Sequence, residues 1–480
     1  MRIELKRRAS GRIALTAAAS LLLAGCQTLT PDGGTASVTA FASRELNKDA
    51  VAIRSEEDAR AAKTSVTSLL RRPLTADAAV QIALLNNRGL QAAYNELGAA
   101  EAQTVRASLP PNPVLSLSRI SGGGELEVER RIVADILALA TLPARAEIAS
   151  QRFRQAQLRA VAETLRVATE ARRAYYRTVA ARELTGFLTQ AQSAAEAAAQ
   201  LTKRLGETGA LNKLDQAREQ VFYADITTQV ATAKQRAESE RERLIRALGL
   251  WGADLDFKLA GALPALPRRV QTLPFVETEA VRRRVDLQIA RIDVQMLAKS
   301  YGLTQATRFI NLLEVGGVGK TTRDPDGSKI RERGIEVDFQ IPLFDFGETR
   351  VREAEQTYME AVNLLTQKAV NVRSEARDAY RIYRSAYDVA SHYQREVLPL
   401  RKIISDETML RYNAMQIDVF SLLAEARQRI AATSSAIEAH RDFWLAHTNL
   451  FVAIAAGSPG GEVASASSPA AAVSGEAAAH

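Results

Sequence analysis

The chain contains two similar halves, and this repetition limits its possible folds more than any other feature of the sequence. TEARRAYYR at 169–177 returns as SEARDAYRIYR at 374–384, and ELEVERRI at 125–132 returns as GIEVDFQI at 334–341. Two further pairs keep the same order at offsets of roughly 200 residues: LQAA (90–93) with LQIA (287–290), and 207–219 with 413–425. Matches that keep one order predict a tandem repeat, with two copies of a unit of about 190 residues.

Each copy predicts a helix, a pair of strands and a long helical hairpin. The first helices are expected at 75–108 and 277–306, with Thr75 as the N-cap of the first. From Ile335 to Leu343 apolar residues alternate with polar ones, which is typical of a strand with one apolar face. Four strands are predicted, at 114–120, 126–133, 309–318 and 335–343.

Two very long helices dominate the prediction, at 144–204 and 348–410. Small and β-branched residues step by three and four positions through both, in the first from Ala160 to Ala181. This spacing is typical of a coiled-coil seam with closely packed helices. A helix of about 60 residues is ~90 Å long, which no globular core requires. Returning helices are expected at 212–248 and 418–455.

The tips of the two helical hairpins contain helix terminators and caps. Gly206 and Gly209 are expected to end the first long helix, and Asn212 is expected to cap the returning one. Asn413 and Asp418 are predicted to have comparable roles in the second hairpin. Both hairpins are therefore expected to turn within a few residues.

The N-terminus predicts a bacterial lipoprotein signal peptide at residues 1–25. A basic segment, MRIELKRRASGR, precedes the short apolar stretch IALTAAASLLL, which is too short to span a bilayer. LAGC follows at 23–26, and Cys26 is the only cysteine of the chain. This segment resembles the signal of bacterial lipoproteins, which implies lipid attachment at Cys26, with palmitate, and outer-membrane sorting because Gln27 rather than Asp follows it.

The remaining boundaries follow from composition and from the repeat. Pro and Gly punctuate the segment between the copies, and the C-terminal tail is low in complexity, which predicts disorder. The expected domains are an N-terminal extended segment (26–73), a first repeat (74–249), a linker (250–275), a second repeat (276–456) and the tail (457–480).

The run GGVGKTT at 316–322 resembles a phosphate-binding loop but lacks its first glycine. That position is Glu314, a carboxylate where an anion would approach, and Val315 does not supply the lysine of a variant loop. We therefore expect no nucleotide, and we interpret Gly319–Gly334 as a loop between two strands. Gly316 and Gly317 are expected at a strand end.

Composition argues against several other classes of protein. Removal of residues 1–25 takes away five basic side chains and one acidic one, so the formal charge falls from +8 to +4. This small excess gives no argument for nucleic-acid binding. The four histidines have no ligand spacing, and no Ser/His/Asp set is present in sequence. We expect no enzyme activity, no metal site and no cofactor other than the covalent lipid.

Residues 74–455 resemble the TolC-like outer-membrane efflux channels. The tandem plan, IPLFDFGETR at 341–350 and RYNAMQIDVFSLLAEARQR at 411–429 carry the resemblance. It implies a mainly α fold with a small β part: a protomer with long coiled-coil helices and four strands, which trimerises into a 12-stranded barrel and a helical periplasmic tunnel. Two departures concern local geometry. Met415 stands where the family commonly has glycine, and LALATLPAR (137–145) replaces the strand-exit turn in the first copy.

The resemblance also implies functional residues. A periplasmic gate is expected at the second hairpin tip, with the candidates Asp406, Glu407, Arg411, Tyr412 and Asp418. The periplasmic adaptor is expected to contact the tips at Gly206, Gly209, Asn212, Asn413 and Met415. The polar strand faces would place Glu127, Glu129, Glu336 and Asp338 in the lumen. The same charged residues also fit solvated helix ends and ordinary surface hairpins.

The function implied is that of a passive outer-membrane conduit, lipid-anchored and extending into the periplasm. It would form a homotrimer in outer-membrane lipid and accept substrates from an inner-membrane pump through the adaptor. The segment 79–115 looks most like the branch that serves metal-cation pumps, with drugs or small toxic compounds as the other class of substrate. A lipid-anchored coiled-coil scaffold without a pore explains the helices but not the paired strands.

Overall fold

A computed structural model of the chain describes residues 29–209 and 211–458. Cys26, the signal peptide and all but the first two residues of the predicted tail lie outside these ranges. The chain divides into two compact units, Met1–Leu263 with Val285–Val370, and Pro264–Arg284 with Asn371–His480. These units are defined by packing, so the boundaries of the sequence repeat stay a prediction. Among the described helices, none combines the length and apolar character that crossing a bilayer demands.

The N-terminal segment contains two helices where an extended chain was expected. Helix α1 covers Ala36–Phe41 and continues into a π-helical turn, and α2 covers Glu56–Leu70. A capping box starts α2, because the Ser55 side chain accepts from the Asp58 backbone N–H and Asp58 accepts from Ser55 in return. This local signal is in the sequence and was missed.

The first helix of each repeat is broken at one residue. The predicted helix 75–108 is divided into α3 (Ala76–Asn86) and α4 (Arg88–Ser108). Thr75 is the N-cap of α3, as predicted, and Asn87 adopts an extended conformation and caps α4 by accepting from the Leu90 N–H. In the second repeat Arg284, also extended, separates α8 (Val276–Arg283) from α9 (Val285–Ala306). The repeat thus includes this break.

Four antiparallel strands form one sheet in the first unit, in the order β1-β2-β3-β4. They are β1 (Val114–Gly122), β2 (Glu125–Asp135), β3 (Leu312–Arg323) and β4 (Lys329–Gln340). The pairing of β2 with β3 joins the two repeats. Each register is continuous, so residues opposite one another in neighbouring strands share a face.

The β3–β4 hairpin is longer than predicted, and the prediction of a loop at Gly319–Gly334 is wrong. β3 continues to Arg323 and β4 starts at Lys329, so the connection consists only of residues 324–328. Charged residues had indicated a loop, but here they alternate along paired strands. Gly316 and Gly317 lie inside β3 rather than at its end.

The helical hairpin of the first unit has the predicted seam. A short helix α5 (Ile136–Ala140) leads into α6 (Leu142–Glu207), which is followed by α7 (Lys213–Leu248). At 66 residues, α6 is about 100 Å long. The seam residues are all buried: Ala160, Thr164, Val167, Ala171, Ala174, Thr178 and Ala181.

The matching helices of the second repeat start in the first unit, which includes the first of them up to Val370, and continue in the second unit. α10 covers Glu348–His392, a π-helical turn covers Tyr393–Val397, and α11 covers Leu398–Asn413. The π turn ends two residues before Pro399, whose ring would otherwise press on a carbonyl of the preceding turn. α12 (Val419–Phe451) returns and ends in another π turn.

Tyrosines fix the segment before α8 to α10 in this unit. The Tyr387 hydroxyl donates to the carbonyl of Pro267 at 3.1 Å, and the backbone N–H of Gln271 donates to the Tyr383 hydroxyl at 3.2 Å. Tyr383 is fully buried and packs against Phe443 of α12 with 5.6 Å between the ring centroids. The end of the predicted linker is therefore an ordered strap.

Candidate channel surfaces

One face of the sheet carries all four acidic residues that were predicted to share a surface. The continuous register places Glu127 and Glu129 of β2 on the same side of the sheet as Glu336 and Asp338 of β4. We call this side the carboxylate face. It contains eight carboxylates: Glu125, Glu127, Glu129, Asp135, Glu314, Glu332, Glu336 and Asp338.

Two basic residues on the carboxylate face pair with these acids. Lys320 Nζ lies 2.9 Å from Glu127 Oε1, and Arg131 Nη1 lies 3.2 Å from Glu336 Oε1. The second pair reaches across β3, where Gly316 has no side chain to obstruct it. Eight acids against two bases leave the face strongly acidic. Lys320, the lysine of the loop-like GGVGKTT, is therefore a strand residue paired with a carboxylate. Its surroundings repel a nucleotide.

The opposite face of the sheet is apolar over the half nearest the helices. Large apolar side chains there are exposed, Ile335 to 83 % and Leu115 to 74 %. Ile132 lies in the row that joins Leu115 and Ile335, and the next two rows toward the helices contain Val337 and Phe339; we call these three the apolar rows. Contiguous exposed apolar surface of this kind marks a contact with lipid or with another protein.

The exit from β4 into α10 is a tight turn that needs glycine. Gly347 has a φ of +72°, and a Cβ at this position would lie 2.1 Å from the carbonyl oxygen of Arg308. Asp345 Oδ1 accepts from the Gly347 N–H at 2.9 Å, and the Asp345 carboxylate also accepts from the Thr349 hydroxyl. In the first repeat the strand leads into a helix without such a glycine. Asp135 is the N-cap of α5 there and accepts from the Ala138 N–H at 2.7 Å.

The tip between α6 and α7 differs from the prediction at one residue. Gly209 has a left-handed conformation and ends α6, and Asn212 caps α7 by accepting from the Asp215 N–H at 2.9 Å. Gly206 is not a terminator, since it lies inside α6. A Cβ on Gly206 would lie 3.0 Å from the Gln216 side chain. The Gln216 amide, which donates to the Lys203 carbonyl at 3.5 Å, therefore lies against this glycine.

The second tip places the gate candidates on its exposed surface. Asp406, Glu407, Arg411 and Asp418 are exposed and Tyr412 is half-buried. Arg411 Nε contacts Glu407 Oε1 at 3.2 Å, one turn apart on α11. Asp418 is the N-cap of α12, as predicted, and accepts from the Ser421 N–H at 2.8 Å.

The hydrogen bonds from Ser421 lower the pKa of Asp418 below its ordinary value. A lowered pKa means that the cap contributes stability at neutral pH and loses it as the pH falls through the folded-state pKa. Asn413 is the last residue of α11, so the helix ends at the position predicted for it.

Met415 occupies the left-handed position of this tip, with a φ of +58°. The side chain is 93 % exposed, so packing does not offset the backbone strain. We expect Met415→Gly to stabilise the protein by about 1 kcal/mol, the usual cost of a left-handed non-glycine residue. Thermal unfolding followed by circular dichroism measures it. Asn413→Gly, two residues earlier in helical conformation, should instead lower the midpoint. A lower midpoint for Met415→Gly would contradict the strain.

Sequence reasoning missed the contact that joins the arms of this hairpin. Arg401 Nη1 on α11 lies 3.1 Å from Glu425 Oε2 on α12, and the Glu425 side chain is largely covered. Arg429 Nη1 also donates to Ser405 Oγ at 3.3 Å. Each pair spans 24 residues. Within the described ranges, no group of three His, Cys, Asp or Glu residues could hold a metal ion.

Comparison with solved structures identifies the architecture. The CmeC outer membrane channel of Campylobacter jejuni superposes with a TM-score of 0.67 at 16 % identity, over 81 % of this chain and 87 % of that chain. The outer membrane protein VceC of Vibrio cholerae has a TM-score of 0.64 at 14 % identity, over 80 % of this chain and 96 % of that chain. The chain has the TolC-like channel fold.

A third structure with this TolC-like fold is CusC, described for its folding and transmembrane channel formation. Its TM-score is 0.64 at 17 % identity, over 82 % of this chain and 92 % of that chain. No protein-family model and no curated protein sequence matches the chain. The mainly helical protomer with four strands, predicted from the repeat, is confirmed.

Proposed function

We propose that this protein is the outer-membrane channel of a tripartite efflux system and that it conducts substrates passively, without catalysis. The observation that supports this most is the four-stranded sheet, in which β1 and β4 each pair on one side only among the described strands. Open strand edges are not tolerated in lipid, because every unpaired N–H and C=O group is costly there. Three copies of the chain would close the sheet into a 12-stranded barrel.

The two faces of the sheet fit the two environments of such a barrel. The apolar rows would contact lipid, and the carboxylate face, with Glu127, Glu129, Glu336 and Asp338, would line the water-filled lumen. Each copy adds eight acids and two bases, so the lumen would favour cations over anions.

The helices and the N-terminus complete the proposal. A lipid on Cys26 would anchor the chain to the outer membrane, and α6, at about 100 Å, would extend into the periplasm. A periplasmic adaptor connected to an inner-membrane pump would contact the exposed tips, at Gly206, Gly209, Asn212, Asn413 and Met415. We infer metal cations as the cargo class, with drugs or small toxic compounds as the other class.

Reconstitution into planar bilayers tests the function. The purified mature protein should give discrete single-channel conductance, with a reversal potential in a KCl gradient that indicates cation preference. Chemical cross-linking should yield a trimer. A pore-free scaffold predicts a cross-linked oligomer without conductance, which would exclude the channel. Cys26→Ala should leave conductance intact and remove the lipid, detected by mass spectrometry.

The gate proposal makes a separate prediction. Neutralising Asp406→Asn and Glu407→Gln together should raise the open probability in planar bilayers, because it breaks the Glu407–Arg411 pair at the tip. Asp388→Asn with Glu360→Gln is the matched control, since both residues are exposed acids on α10 outside the tip. An equal open probability of the two double variants would show that Asp406 and Glu407 are not part of the gate.

A further inference from the structure

Six basic side chains gather on the sheet face that carries the exposed apolar rows. On this face the half nearest the β-hairpin turns contains Arg119, Arg130, Arg323, Lys329, Arg331 and Arg333. We call these residues the basic rows. They occupy three successive rows of the register, for example the row that joins Arg119, Val128, Thr321 and Arg331. No acidic residue shares these rows.

The basic rows differ from the basic residues of the carboxylate face in their pairing. Lys320 and Arg131 each contact a carboxylate. All six side chains of the basic rows are exposed, and within the described ranges none of them forms an ion pair. Neighbouring strands are ~4.8 Å apart and alternate residues ~6.8 Å apart, so the six charges cover a patch of roughly 14 by 14 Å. Uncompensated positive charge at this density attracts anions.

The position of the basic rows selects the anion. The proposed channel function, on which this inference rests, places the apolar rows in hydrocarbon. The basic rows continue the same face toward the hairpin turns, which such barrels place outside the cell. Arg and Lys on a lipid-facing surface are costly at the bilayer midplane and nearly neutral at its interface. These rows therefore fall at the level of the outer lipid headgroups.

We propose that the basic rows bind the phosphate groups of phosphorylated lipid headgroups in the outer leaflet. Arginine, which supplies five of the six side chains, presents a planar fork of donors that matches phosphate oxygens. In a trimer the patch would occur three times around the barrel and would hold a ring of anionic lipid. The apolar rows beneath it would contact the acyl chains of the same lipid.

Lipid binding to the purified full-length protein in non-ionic detergent tests this proposal. The probes are bisphosphorylated lipid A, dephosphorylated lipid A and inorganic phosphate, titrated at equal concentrations. The test variant is Arg119→Gln/Arg331→Gln/Arg333→Gln. The control replaces three exposed basic residues on the helices, Arg352→Gln/Arg373→Gln/Lys402→Gln.

Bisphosphorylated lipid A should bind the wild type and the control triple alike, and the test variant roughly 100-fold more weakly, at about fivefold for each basic side chain removed. The binding should also weaken with added salt. Equal binding to the test variant, or equal binding of dephosphorylated lipid A, would overturn the proposal. Equal binding of inorganic phosphate would overturn it too, because the site would then be a free-anion site.

Conductance separates this inference from the channel function. The test variant should conduct like the wild type in bilayers of neutral lipid, because its substitutions lie outside the lumen. A wild type that conducts but does not prefer phosphorylated lipid loses only the present proposal. A wild type that does not conduct loses the channel function itself.

Discussion

Replacing Arg284 with alanine should lower the free energy of unfolding by about 3–5 kcal/mol, among the largest effects expected of any single substitution. The Arg284 side chain is 2 % exposed, and its Nη1 lies 2.5 Å from Glu375 Oε2 on α10. The Glu375 side chain is 29 % exposed, so removing Arg284 leaves a partly buried carboxylate without this partner. Guanidinium-induced unfolding of the purified protein measures the loss.

The neighbouring pair Arg282–Glu279 provides a control for Arg284→Ala. The ions are 3.0 Å apart, but the Arg282 side chain is 71 % exposed. Exposed pairs contribute little, so Arg282→Ala should change the stability by less than about 1 kcal/mol. The double variant Arg284→Met/Glu375→Leu should recover most of the loss, since an apolar pair needs no desolvated charges. If the double variant were as unstable as Arg284→Ala, the site would act through shape rather than charge.

Gly347→Ala should disrupt the exit from the sheet into α10. The left-handed conformation costs an alanine about 1–2 kcal/mol. The new Cβ would also lie 2.1 Å from the Arg308 carbonyl oxygen, which is backbone and cannot rotate away. The turn must therefore open, with the loss of the hydrogen bond from the Gly347 N–H to Asp345. We expect a total destabilisation of several kcal/mol, measured by thermal unfolding.

Gly302→Ala is the matched control for this turn. Gly302 lies within α9, and a Cβ there would meet nothing within 4 Å. Alanine is favoured over glycine inside a helix by about 0.5–1 kcal/mol, so this variant should be slightly more stable than the wild type. If Gly347→Ala instead matched Gly302→Ala in stability, the turn would not need its glycine.

The spacing of apolar residues and the helix-capping residues allowed most of the helices and strands to be predicted. Steps of three and four residues predicted α6 and its buried seam from Ala160 to Ala181, since a helical face repeats on that period. The wrong predictions concern residues whose conformation depends on tertiary contacts rather than on local sequence. Asn87 and Arg284 break helices whose apolar pattern is continuous. Gly206 resembles a terminator but lies in the last turn of α6, beside the Gln216 side chain.

The sequence predicted which acidic residues share a strand face, but it did not predict the ion pairs that they form. Alternation was enough to place Glu127, Glu129, Glu336 and Asp338 on polar strand faces, because successive side chains point to opposite sides. It could not show that Arg131 reaches Glu336 across a third strand, since that contact joins residues 205 positions apart. The pairing of Arg401 with Glu425 was missed for the same reason.

The sequence by itself determined the tandem plan, the long helices, the strand count and the broken phosphate-binding loop. Each of these depends on local composition or period, which a single chain segment carries in full. Only the tertiary structure decided the strand register and the length of the second hairpin. Register depends on the joint pairing of distant segments, and it alone showed that the KTTR and KIRER segments are strands. With the register known, the charges of those segments divide between an acidic face, where Lys320 pairs with Glu127, and a basic face without ion pairs among the described residues.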